Sequence, residues 1–87
     1  MNQSIIFTDD IQWDQQKQSV YLFAQCQGVI IPCFISLEKL AEFSEQKIIS
    51  EKQALTVAEQ FRFDLEDYFE EQIESEAMDD SGTVYYQ

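Results

Sequence analysis

With 87 residues, 17 acids against five bases and a net charge of −12 at pH 7, the chain has room for one domain and little else. Its charge repels nucleic-acid phosphate and anionic lipid head groups, so direct binding to DNA, RNA or a membrane is disfavoured. Hydrophobic residues at 45% and aromatics at 14% nevertheless supply enough apolar material for an ordered core.

The opening, Met1-Asn2-Gln3-Ser4-Ile5-Ile6-Phe7, has neither the basic start nor the apolar run of about seven that a secretory leader needs. No stretch is long and apolar enough to span a bilayer. The expectation is a soluble, cytoplasmic protein whose Cys26 and Cys33 stay reduced.

Ile5 to Phe7 suits a short first strand and Thr8-Asp9-Asp10 a turn, after which Ile11 and Trp13 resume an alternating pattern. Val20 to Cys26 and Val29 to Ser36 are β-rich runs flanking Gln27-Gly28, where Gly supplies the positive φ of a tight two-residue hairpin loop. That loop would pair Cys26 with Val29, Ala24 with Ile31, Leu22 with Cys33 and Val20 with Ile35, one wholly apolar face. The opposite face would pair Tyr21 with Phe34, Phe23 with Pro32 and Gln25 with Ile30, far more apolar than a solvated face. Either another segment of the chain covers it or it is a surface for a homodimer or ligand. Pro32 lacks a ladder donor, which places its strand at an edge or a bulge there.

The same register sets the two cysteines about 13 Å apart at ~3.3 Å per residue, too far for a disulfide. With no His in the chain and no second cysteine pair, a zinc site is not expected, and no cofactor is implied.

Ser36 reads as an N-cap for a short helix carrying Leu37, Leu40, Ala41 and Phe43 at core spacing. A connector from Ser44 follows, with Ile48 and Ile49 tucked against the core. Ser50 and Gln53 form a capping box, with Glu51 at the positive helix end, opening a second helix that nothing interrupts before Gly82. From Glu51 to about Ala77 it would run near 40 Å. Leu55, Ala58, Phe61, Leu65, Phe69 and Ile73 form its packing stripe. Glu59, Asp64, Glu66, Asp67, Glu70, Glu71 and Glu74 occupy the opposite sector. Arg62 lies at the stripe's margin, within reach of Glu59 and Glu66, and reads as structural. Asp79-Asp80-Ser81-Gly82 would end the helix, and Thr83 to Tyr86 has strand propensity. Strands, then helices, then a last strand describe one α+β domain over residues 1–87. It would have a mainly antiparallel small sheet around a central β-hairpin, one short and one long helix on one face, and a C-terminal strand.

Met1-Asn2-Gln3 with Ile5 and Phe7, Trp13, Val20, Gly28, Cys33 with Ile35-Ser36, Leu40, Phe61-Arg62 with Asp64-Leu65-Glu66, and Asp79-Asp80 before Gly82 and Val84 also form a pattern. By their order and spacing the chain resembles the YrdB-like family, short acidic proteobacterial proteins catalogued as a domain of unknown function. The resemblance implies an α+β fold and assigns no activity and no catalytic residue. It also implies Asn at the position Gln27 occupies, a better first residue for the hairpin turn.

The chemistry available is limited. No His titrates near neutrality, two glycines cannot build a phosphate loop, and no nucleophile elbow is present. Pairs such as Glu66 and Glu70 on an exposed helix face would be hydrated carboxylates of ordinary pKa, so no catalysis is expected. Glu76, Asp79 and Asp80 lack the alternating oxygen ligands of an EF-hand, which leaves weak divalent-cation binding against a plain polar helix end. The third reading centres on Phe63, in mid-sector among Glu59, Glu66, Asp67 and Glu70: an aromatic anchor ringed by acids suits a basic, partly apolar protein partner. The alternative is that the sheet or the chain terminus wraps far enough to bury Phe63.

Overall fold

Alternating apolar residues near the start of the chain form two short strands, β1 (Ile5–Phe7) and β2 (Gln12–Asp14), and both pair antiparallel with β3 (Ser19–Cys26). The structure, a computed structural model, describes residues 5–86; Met1, Asn2 and Gln3 of the family pattern lie outside them. β3 turns at Gln27-Gly28 into β4 (Val29–Ser36), with φ 53° and 81° at the two loop residues, the doubly positive pair that a two-residue hairpin loop of this twist demands. The register is the one the turn dictates, Cys26 opposite Val29 through to Ser19 opposite Ser36. A two-residue strand, β5 (Val84–Tyr85), adds parallel to β4 at Cys33 and Phe34, giving the order β1-β3-β4-β5 with β2 beside β3. Pro32 sits one residue before that pairing begins, where β4 has no second strand alongside, which is the edge position its missing N–H requires.

Ser36 caps α1 (Leu37–Ser44), its Oγ accepting from the Lys39 N–H at 3.0 Å. Ser50 likewise caps α2 (Glu51–Gln60), accepting from the Gln53 N–H at 3.1 Å. The reciprocal arm of the expected capping box is displaced by one residue, because Gln53 Oε1 accepts from the Ile49 N–H at 2.9 Å. In the connector Ile48 is buried, but Ile49 is 75% exposed, contrary to expectation. The two neighbours point in opposite directions, and only one can reach the core.

The single long helix expected from Glu51 is two helices, α2 and α3 (Arg62–Glu74), interrupted at Phe61 with φ −107° and ψ 22°. The cause is packing, since neither Pro nor Gly is near. The residues α2 buries are Ala54, Val57 and Ala58, and those of α3 are Leu65, Phe69 and Ile73. On one straight helix at about 100° per residue the two sets would be centred roughly 65° apart. The interruption lets each half present its own set, α2 against α1, β2 and β3, and α3 against β5. Phe61 N–H still reaches the Val57 carbonyl at 3.1 Å and Leu65 N–H the Phe61 carbonyl at 2.9 Å, so the bend strands neither group. Leu55 and Phe61, expected in the stripe, are only half-buried. The helix also ends early, at Glu74. Glu76 takes φ 59°, and the Glu76 and Ala77 N–H groups close back on the Ile73 and Gln72 carbonyls.

All three helices contribute to one core with the inward side chains of the sheet: Val20, Leu22, Ala24, Ile31, Cys33 and Ile35 beneath Leu40, Ala58, Leu65 and Phe69. Trp13, opposite Val20 in β2, packs on this same side. The architecture is α+β with a mostly antiparallel sheet.

Candidate interaction surface

Phe63 lies roughly 160° around α3 from the buried Leu65, so it points away from the sheet, and it is 76% exposed. Neither the sheet nor any other described segment wraps over it. Of the four carboxylates expected around it, two are occupied by Arg62. Its Nη2 meets Glu59 Oε2 at 3.1 Å and its Nη1 meets Glu66 Oε2 at 3.4 Å. The hydrogen bond with Glu59, more than any other contact, raises the guanidinium pKa. Asp67 is exposed, Glu70 half-buried, and neither has an ion pair among the described residues. The anionic surface left around Phe63 is therefore Asp64, Asp67, Glu70 and Glu71, displaced toward the C-terminal half of α3.

Arg62 does more than the spacing of the helix shows. Nη1 donates to the Thr8 carbonyl at 3.3 Å and Nη2 to the Asp9 carbonyl, which ties the β1–β2 loop to the start of α3. Helical periodicity alone contains no signal for this contact, because its partners are backbone atoms 54 and 53 residues away.

The turn after α3 is built around one oxygen. Asp79 Oδ1 accepts from the Ser81 N–H at 2.9 Å, the Ser81 hydroxyl at 2.7 Å and the Thr83 N–H at 2.9 Å. Hydrogen bonds from the Thr83 backbone first, and then from Ser81, hold this carboxyl below its usual range. An oxygen so engaged is a poor cation ligand, and no cluster of three or more metal-ligating side chains occurs among the described residues. Asp79, Asp80, Glu74 and Glu76 also edge an open groove of about 590 Å³ floored by Val29, Ile31, Ile73 and Met78. Elsewhere, burial pushes the Cys33 thiol up to about 12, so it is an inert core group, and no disulfide joins it to Cys26.

On the outer side of the sheet, Tyr21 and Phe34 stack at 4.9 Å, Phe34 and Tyr85 at 5.5 Å, and Tyr21 meets Phe23 edge-on at 5.6 Å. Lys17 Nζ sits 5.5 Å from the centres of both the Phe34 and Tyr85 rings and donates to the Tyr85 hydroxyl at 3.3 Å. These aromatics shield one another sideways. No described helix packs over them: the three helices bury their apolar residues with the inward set.

The fold defines a small α+β domain with an acidic helical side and an aromatic sheet side, and comparison with known proteins gives it a family. Residues 5–85 match the family model described as a protein of unknown function, DUF1488, and the chain belongs to that family. It is 37% identical over 86 residues to the uncharacterized protein YrdB of Escherichia coli strain K12, covering 98% of each chain. It is 36% identical to that of Shigella flexneri, also with 98% coverage of each. It is also similar to the crystal structure, at 1.60 Å resolution, of a DUF1488-family protein of unknown function from Shewanella loihica PV-4. There the TM-score is 0.92 at 44% identity, over 99% of this chain and 94% of that one.

No helix among the described residues is long and apolar enough to cross a membrane.

Proposed function

We propose that this protein is a non-catalytic cytoplasmic interaction domain that receives a basic, partly apolar protein partner on the outward side of α3. One observation carries the reading: Phe63 is 76% exposed on a surface otherwise rich in carboxylates. Leaving a Phe in water forgoes about 1.5–3 kcal/mol of burial, and a partner would recover it. Asp64, Asp67, Glu70 and Glu71 steer a positively charged face toward the ring, while Glu59 and Glu66 hold Arg62 and thereby fix the start of the helix. Weak cation binding is the less favoured alternative, given the engagement of Asp79, and a small enzyme less favoured again.

Replacing Phe63 with Ala tests it. Because the ring has few neighbours, stability should change by less than about 0.5 kcal/mol in urea unfolding. Capture of the partner in a pull-down from native cytosol should weaken at least about tenfold, and capture by the unaltered protein should fall as salt rises. A loss of stability of several kcal/mol, or equal capture by variant and parent, contradicts the proposal.

A further inference from the structure

The open groove of about 590 Å³ lies between the end of α3, the turn at Asp79 and the tip of the β3–β4 hairpin. Its floor is apolar: Ile31 and Ile73 are core residues, flanked by Met78 and by Val29, which is 59% exposed. Its rim is anionic. Glu74, Glu76, Asp79 and Asp80 line it with no Lys or Arg, and none of the four takes part in an ion pair among the described residues. The C-terminal end of α3, with no basic residue in its last turn, adds the negative pole of a 13-residue helix.

We propose that this groove receives a lysine side chain from an extended basic segment of a partner protein. The aliphatic stem lies along the floor and the ammonium reaches the rim. An apolar floor alone would take any aliphatic group, and exposed acids alone would hold only hydrated counter-ions. The two together select a group that is apolar along its length and cationic at its tip. Asp79 contributes its charge, but its Oδ1 already accepts three hydrogen bonds, which leaves Glu74, Glu76 and Asp80 as the direct partners. A compact ammonium with three rotatable donors suits acids contributed by separate parts of the chain better than a planar guanidinium fork does. The volume falls within the range of about 300–1,000 Å³ typical of ligand sites, and the open side lets a peptide backbone pass across. This site is separate from the Phe63 surface. Ile73 lies about 15 Å along α3 from Phe63 and faces inward, whereas Phe63 faces out.

The probe is the peptide acetyl-Ala-Leu-Lys-Leu-Ala-amide, titrated into the full chain and followed by backbone amide shifts. Shifts should centre on Val29, Ile31, Ile73, Glu74 and Met78 with a Kd of roughly 0.1–2 mM, weakening as NaCl rises. The same peptide carrying acetyl-lysine, which keeps the stem and loses the charge, should bind at least about tenfold more weakly, and the arginine peptide about threefold more weakly. Val29→Lys, at an exposed position, lays an ammonium of this chain on the floor and should remove the shifts. Glu74→Gln combined with Asp80→Asn should weaken binding at least about fivefold, the unaltered remainder of the spectrum showing that each variant is folded. Phe63→Ala should leave binding unchanged, so failure here and failure of the Phe63 surface are told apart. Absence of shifts at about 10 mM peptide overturns the proposal, as do shifts centred on Asp64 and Asp67. Equal binding of the acetylated peptide would make this a plain apolar groove, equal binding of the arginine peptide would remove the case for an ammonium, and equal shifts with calcium chloride would make it a simple cation site; each contradicts the assignment.

Discussion

Asp79 shows how much one exposed carboxylate can organise. A single oxygen gathers two backbone N–H groups and a hydroxyl, and the Asp79 N–H in turn donates to the Thr83 carbonyl at 2.9 Å, closing the loop that delivers β5 to the sheet. Because folding depresses its pKa, Asp79 contributes stability that is fully present above the ordinary carboxylate value near 3.9 and disappears as pH falls through the lower folded value. Asp79→Ala should therefore lower the melting temperature by a constant amount between about pH 5 and 8, and the gap to the parent should close below about pH 4. A gap that persists undiminished in acid would assign the effect to packing. Arg62 illustrates the complementary case, a side chain whose two acid partners were visible as i−3 and i+4 neighbours but whose links to Thr8 and Asp9 arise only when the β1–β2 loop is brought against α3.

Among the elements, the hairpin and the paired helices respond to local chemistry in opposite ways. The β3–β4 loop is set by two residues, and one of them is suboptimal: Gln27 holds φ 53°, a conformation that Asn tolerates better. Gln27→Asn should raise stability by about 0.5 kcal/mol in urea unfolding, whereas Gly28→Ala, at φ 81° and with no atom near the added methyl, should lower it by about 1 kcal/mol. Equal effects of the two would mean that the loop does not govern the strand register. The bend at Phe61, by contrast, is imposed from outside. Helix propensity runs unbroken from Glu51 onward, and what interrupts it is the need of two differently phased apolar sets to reach one core, with the Phe61 ring resting edge-on against Phe43 of α1 at 6.0 Å.

At the scale of the whole molecule the charge is segregated rather than diluted. A chain of net charge −12 has folded to a radius of gyration of 12.4 Å, well inside the Debye length of about 30 Å at 10 mM salt, so at low salt its acids repel one another across most of the body. Raising NaCl from about 10 mM to about 300 mM should raise the melting temperature by several degrees through screening of that repulsion. A melting temperature that falls with salt would mean that the Arg62 pairs outweigh the general repulsion.

Period-2 and two-residue-turn patterns fixed the hairpin, its register and both its faces ahead of any coordinates, because pleat and turn geometry act between residues that are close in sequence. The caps at Ser36 and Ser50 and the inward direction of Leu65, Phe69 and Ile73 were legible for the same reason. The break at Phe61, the outward turn of Ile49, the exposure of Phe63 and the bare aromatic sheet face were not. Each depends on what surface lies beside the element, and a helical wheel or a strand pattern says which way a side chain points along its own axis without saying what, if anything, waits there.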